Sequence, residues 1–427
     1  MASQSLISTV DSYENYIERN GKDEQVINAY VDACSVAING EKDIEYGLQL
    51  TKRAKELIEG FCTAKTGGTI WDLDYYHFKH ETTPYDLVNH YFDLFLMEAH
   101  YKFESFMIYM EKNRPPWERF YLPRRNPLSK VAQLIQDLYD DKLDEGMVFC
   151  PGRIGKTQIV KMGNLWFGSN RPERSNLYSA YSDKITGGFY DGTLEMVNDP
   201  TYTYKDIYPK IVEKKAITDG KDLTIDFLRK KTYPTFTMRS IYGTLNGACD
   251  CDGLGVYDDL FSGIDEALSE DRQATVWGKF DNNFMPRIKP GKAKLLGIGT
   301  RWAPKDVQGR RLELLANNPE YKNIRHREVI IPALNENNES NFDYPYKLGY
   351  STLDYKRRMA SFEDNDDMAS WFAQYQQEPI ERKGQMFNID NMNFFDPAEI
   401  EGIRPDRIFS ANDPAYGCLL YTSDAAD

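Results

Sequence analysis

Cysteine and histidine are scarce in this chain of 427 residues, at six and five. The cysteines stand apart at 34, 62, 150, 249, 251 and 418, with no CxxC pair and no Cys/His metal spacing. That excludes a cysteine–histidine metal module and makes a reduced, intracellular protein the simplest reading. Long apolar runs are also missing: no stretch approaches the ~20 residues of a membrane span. The N-terminus lacks the basic start and apolar core of a secretory signal. Positive charge is in deficit, with 52 Lys and Arg against 66 Asp and Glu and a formal net charge of −14. This argues against coating nucleic acid through a global basic field and leaves room only for grip by a few local side chains. Internal repeats and low-complexity tracts are absent as well.

What is present is ordinary in bulk, with 41% hydrophobic and 28% charged residues over a length sufficient for two or three domains. Residues 1–120 read as helical. Gln25 to Ser35 and Tyr46 to Phe61 carry apolar residues three and four apart, and an aromatic-rich helical stretch runs from Pro84 to about Glu111. From Leu122 the character changes. After one more helix, Pro127 to Asp141, apolar segments alternate with helices: Met147–Cys150, Asn176–Ala180, Leu254–Tyr257, Lys294–Ile298 and Glu328–Ile331. Strands alternating with helices predict a largely parallel sheet covered on both faces over 121–380. A linker follows at 381–405, and a new strand begins at Arg407 to Ala411.

The first apolar segment leads into Pro151-Gly152-Arg153-Ile154-Gly155-Lys156-Thr157, and a helix begins directly afterwards. A helix N-terminus offers unpaired N–H groups and partial positive charge to phosphate. Gly152, Arg153, Gly155, Lys156 and Thr157 are the candidate ATP-binding residues, with Lys156 reaching the β- and γ-phosphates and Thr157 ligating Mg²⁺. The strict pattern GxxxxGK[ST] places Gly where this chain has Cys150. A GKT alone is also a plain turn before a helix; the flanking strand and helix favour the phosphate loop. The acidic partner is Asp258-Asp259, at the end of Leu254-Gly255-Val256-Tyr257. Asp258 is expected to hold the Mg²⁺ shell and Asp259 to orient the attacking water. Asp259 is shorter than the more usual Glu by roughly 1.5 Å, which makes Asp258 the better-founded of the two. A further strand ends in Gly299-Thr300-Arg301-Trp302, a polar tip suited to sensing the γ-phosphate. Cys249 and Cys251 lack two further metal ligands nearby, and His326 reads as a strand residue rather than a catalyst.

Taken in order, YLPRR at 121–125, PGRIGKT at 151–157, SAYSD at 179–183, VYDDL at 256–260, SGIDEALSEDR at 262–272, GTRW at 299–302, VQGR at 307–310 and WFAQYQQEP at 371–379 resemble the tailed-phage terminase large subunits. The resemblance runs over about 120–417. That family's phosphate loop commonly lacks the first Gly and carries Arg before GK. It implies an α/β, P-loop NTPase of the ASCE/RecA-like class, with a mostly parallel sheet, flanking helices and a helical N-terminal region. It also implies a motor that hydrolyses ATP with Mg²⁺ to move double-stranded DNA into a procapsid. The implied partners are the portal protein, the terminase small subunit and further copies in a homo-oligomeric ring, without membrane, in the host cytoplasm. Thr300 falls in the coupling motif, and Arg153 and Arg301 are candidates to act on the γ-phosphate; which of them acts is open. The acidic Asp250-Cys251-Asp252 segment departs from the family's expected Gly-rich, basic character.

Ile408 to Gly417 resembles the first strand of the family's RNase H-like nuclease, with Asp413 as a candidate metal ligand. Two-metal cleavage needs several carboxylates, so residues 406–417 are expected to be the start of an incomplete domain without nuclease activity. The tail at 418–427 reads as non-native sequence from a sequencing adaptor. Two other readings stand beside the motor: another P-loop DNA translocase or helicase, and a non-enzymatic viral assembly protein with an accidental GKT.

Overall fold

The computed structural model describes residues 2–380 apart from 215, 229–231 and 246. The expected linker, the Arg407–Ala411 strand, Asp413 and the tail lie outside the described residues. Eight strands form one sheet: β1 (Glu145–Phe149), β2 (Asn176–Ala180), β3 (Ile217–Asp219), β4 (Thr224–Asp226), β5 (Phe236–Ser240), β6 (Leu254–Asp258), β7 (Lys294–Gly299) and β8 (His326–Ile330). Their order is β3-β4-β5-β2-β6-β7-β1-β8. The pairings β3–β4 and β4–β5 are antiparallel, and all others are parallel.

Every residue of β1, β2, β6 and β7 is buried. Strands covered on both faces lose the alternation of a half-exposed sheet and read as short apolar runs, which is how these segments stand in the sequence. β3, β4 and β5 were not expected. β3 is three residues long and exposed throughout, and β4 is equally short, so neither gives the run of four or more residues over which alternation is read.

The register places the site. Phe149 lies opposite Gly299, Ile298 opposite Asp258, and Asp258 opposite Ala180. β1, β7, β6 and β2 therefore end at nearly one level, and the residues that follow them emerge side by side at the carboxyl edge. That is where ligands bind in open parallel sheets. β7 lies between the strand carrying the loop and the strand carrying the acids.

The helices before the sheet are set by their caps. Ser3, Asp23 and Asp43 accept from the N–H three residues on, and Thr69 forms a reciprocal capping box with Asp72. Gly67, in the left-handed region at φ 75°, closes Ile44–Thr66 by donating to Thr63 O. The aromatic stretch expected as one helix is two, Asp86–Glu98 and Phe103–Met110. Glu98, at the break, is buried and accepts from Thr51 Oγ1 (2.5 Å), Lys55 Nζ (2.6 Å), Lys102 Nζ (3.0 Å) and Ser105 Oγ (2.5 Å). Burial opposes the Glu98 charge, yet the two lysines and the donated bonds hold its carboxyl down at about 2. A second buried pair, Arg119 with Asp74, is completed by the Glu111, Arg114 and Lys112 carbonyls.

Residues 1–381 make one compact unit. One core cluster runs from Leu6 through the sheet to Trp371. Trp166, on the helix after the phosphate loop, donates to Ala99 O at 2.7 Å and packs on Tyr139 with ring centroids 4.2 Å apart. The helical region is thereby fixed to the helix that begins at Lys156. Among the described residues, no helix is long and apolar enough to cross a membrane.

Candidate phosphate-binding site

Cys150 to Gly155 connect β1 to the helix Lys156–Asn170. Gly155 caps that helix at φ 103°, and a Cβ there would meet the Phe120 ring at 2.5 Å. Both the backbone angle and the close ring demand glycine. Gly152 is different, since a Cβ there would meet nothing within 4 Å. Outside the loop, the Arg124 guanidinium lies 5.2 Å from the Phe120 and Tyr344 rings, and Tyr344 OH donates to Ile154 O at 3.4 Å. The YLPRR segment thus helps to shape the loop's outer face. Cys150 needs no glycine's freedom: its side chain is fully buried, and burial pushes the thiol up to about 12.

The sequence candidates meet at the carboxyl edge. Lys156 Nζ donates to Thr300 Oγ1 at 2.7 Å and pairs with Asp259 Oδ2 at 2.6 Å. The other oxygen of Asp259 accepts from Thr300 N at 2.8 Å. Asp259 itself takes φ 38°, a region that non-glycine residues enter at a cost and that clusters at functional sites. Thr157 Oγ1 donates to Asp258 Oδ2 at 3.0 Å, and Tyr178 OH donates to the same oxygen at 2.9 Å. Asp258 Oδ1 is buried without a hydrogen-bond partner among the described residues.

The electrostatics follow from this packing. Burial raises the Asp258 carboxyl to about 6, with the Asp259 charge adding to it, against Lys156 and the Tyr178 and Thr157 bonds. Burial disfavours the Lys156 charge, but the carboxylate of Asp259, with Cys150 and Asp258, more than offsets it and the lysine stays firmly protonated. Sequence reasoning missed Tyr178. Its one signal is a tyrosine two residues before the end of a strand that neighbours the acidic one, and Asn176 and Ser179 on the same strand give no reason to single it out.

Arg301 is placed differently from the expectation. Its Nε donates to both oxygens of Asp306 at 3.2 and 3.0 Å, its Nη2 reaches the Ala303 and Pro304 carbonyls, and its side chain is nearly buried. It is a structural ion pair that shapes the turn after β7, not a charge free to meet phosphate. Its backbone N–H donates to Gln377 Oε1 at 3.0 Å. Arg153 is exposed at φ 66° on the loop and borders a cleft of about 610 Å³ together with Gly152, Asp259 and Thr300. Asp250-Cys251-Asp252 stands at the amino end of β6, away from Asp258. There Asp252 accepts from Ser175 N at 2.8 Å and Asp250 pairs with Lys289 at 2.6 Å. Its acidity therefore does not bear on the loop.

The residues fit a divalent cation bound with a phosphate. A buried carboxylate oxygen without a partner and a hydroxyl next to the same carboxylate supply two protein ligands. Among the described residues no cluster of three His, Cys, Asp or Glu is built to hold a metal alone. Mg²⁺ accepts such a site, because it keeps waters and takes substrate phosphate oxygens as ligands.

No protein-family model matches the chain, and no curated protein matches it in sequence. Among solved structures it is similar to the large terminase of bacteriophage HK97, with 16% identity and a TM-score of 0.39. The match covers 57% of this chain and 48% of that one, so it spans about half of that protein.

Proposed function

We propose that this chain is the ATP-hydrolysing part of a DNA-packaging motor of the terminase large-subunit kind. The observation that carries the hydrolytic reading is the convergence of Lys156, Thr157, Asp258, Asp259 and Thr300 at one sheet edge, from three separate stretches of sequence. The motor reading rests on the ordered set of motifs between 121 and 379, which surrounds that edge.

In this reading the loop N–H groups and Lys156 cradle the β- and γ-phosphates. A nucleotide-bound Mg²⁺ would supply charge neutralisation at the phosphates. Asp258 and Thr157 hold its shell, and Tyr178 fixes the Asp258 carboxylate from behind. Arriving phosphate draws Lys156 from Asp259, and the freed carboxylate orients the attacking water. Thr300 touches both Lys156 and Asp259, so it registers which of them is engaged. Its neighbour Arg301 passes that to Gln377 through the backbone N–H. Double-stranded DNA is the substrate moved, and the portal ring, the small subunit and further copies of this chain are the partners, in the host cytoplasm and on the procapsid.

The test is Mg²⁺-dependent ATP hydrolysis by the full chain, with and without double-stranded DNA. The expected result is a slow basal rate, raised by DNA or assembly partners and abolished by Lys156→Ala. Hydrolysis indifferent to Lys156→Ala would remove the reading. An ATPase that no DNA or procapsid stimulates would remove the motor while keeping the enzyme.

A further inference from the structure

The cleft beside the phosphate loop has a second wall, built by the segments that follow β8. Tyr355 and Arg358 come from the helix Thr352–Asp364, and Tyr375 from the turn Phe372–Gln376. Arg358 Nε donates to Tyr375 OH at 3.2 Å, and the guanidinium lies 5.1 Å from the Phe362 ring. Among the described residues no carboxylate pairs with it. Other arginines around the site are committed: Arg301 to Asp306, and Arg124 to the Phe120 carbonyl. Arg153 and Arg358 are therefore the cations that border this cleft with guanidinium groups still open to a ligand.

Two further groups in the same lining point to a polar occupant. Tyr355 is 3% exposed, and its hydroxyl has no hydrogen-bond partner among the described residues; the Trp302 indole N–H is also buried without one. Buried donors left unpaired are costly, and oxygens of a bound anion would satisfy both. The cleft also holds Thr300 and Asp259, the two groups that touch Lys156. An anion lying there is thus next to the lysine that binds phosphate.

We propose that Arg358 is a catalytic residue of this ATPase. It contacts the γ-phosphate from the wall formed after β8, held in place by Tyr375, while the Tyr355 hydroxyl donates to the same phosphoryl group. This inference rests on the ATPase reading above. It gives Arg358 a share in the charge-neutralising part that the sequence alone offered to Arg153 and Arg301. As the γ-phosphoryl leaves for water, its negative charge spreads over its oxygens, and a guanidinium there lowers the barrier without exchanging a proton.

The experiment uses the full chain and its Arg358→Ala, Arg358→Lys, Tyr375→Phe and Lys156→Ala forms. Hydrolysis, ADP affinity and affinity for a non-hydrolysable ATP analogue are measured for each. Arg358→Ala is expected to lower kcat by about 10³-fold. It should weaken the analogue at least tenfold and leave ADP affinity unchanged, with partial recovery in Arg358→Lys. Tyr375→Phe is expected to lower kcat by a few-fold. Arg358 is exposed on its helix, so its replacement spares the fold; equal loss of ADP and analogue binding would show a merely structural wall and overturn the proposal. Wild-type kcat in Arg358→Ala, with Lys156→Ala inactive, would overturn it while leaving the ATPase reading intact. A fully active Lys156→Ala would overturn both.

Discussion

Two of the buried charge clusters among the described residues are built in opposite ways. At the junction of the N-terminal helices, Glu98 takes four donors and keeps its carboxyl near 2. At the carboxyl edge of the sheet, Asp258 keeps one oxygen without a partner, and its carboxyl stands near 6 beside a second acid. The first is saturated from within the chain. The second is held together by contacts that a phosphate and a cation would replace in the proposed function. Burial of charge alone does not mark a functional site; leftover bonding capacity does.

Substitutions at each cluster should separate activity from stability. The largest effect is expected from Lys156→Ala, which should lower ATP hydrolysis by about 10³-fold or more while leaving urea unfolding little changed. A comparable loss of stability would make the site a second Glu98. Glu98→Ala should do the reverse and destabilise by about 3 kcal/mol at neutral pH, because it strands the Lys55 ammonium, which is largely buried, while Lys102 can turn to solvent. Since the Glu98 carboxyl is depressed from 4.5 to about 2, its contribution is full above about 4.5. It fades as pH falls toward 2, so wild type and variant should converge there in acid unfolding curves. Lys55, whose own pKa burial lowers, tempers the gain without reversing its sign.

Smaller effects sharpen the contrast inside the loop. Gly155→Ala should cut nucleotide affinity by one to two orders of magnitude, because the left-handed backbone and the Phe120 ring both refuse the methyl group. Gly152→Ala should leave thermal stability within about 0.5 kcal/mol, as nothing stands in its way. Tyr178→Phe should be the mildest for turnover. It removes one hydrogen bond to the Asp258 carboxylate, worth about 1.5 kcal/mol and so roughly tenfold in rate; no change at all would mean that the hydroxyl is only packing.

Much of this arrangement was legible in the residues. The four central strands appear as bounded apolar runs because both of their faces are covered, and the loop, the acids and Thr300 each follow one of those runs. The edge was not legible. β3 and β4 are too short for alternation to be read, and Phe236-Thr-Met-Arg-Ser alternates across a strand bounded by Pro234. The Arg301–Asp306 pair was not legible either, because a charged strand tip looks alike whether it faces ligand or an aspartate five residues on. Arg358 was invisible for the converse reason: Tyr-Lys-Arg-Arg-Met reads as a solvated helix face, and only the fold brings it to the cleft. Asp259, trusted less from its length, proves to be the acid that holds the lysine.

That last contact has a consequence for timing. The Lys156 ammonium and the Asp259 carboxylate, to which the proposal gives the attacking water, are tied to each other here, so neither is at liberty. In the proposed ATPase, a nucleotide tail that captures the first would thereby unleash the second, so that arming coincides with loading. If the proposed motor reading holds, a subunit of this design would idle when empty through that one contact.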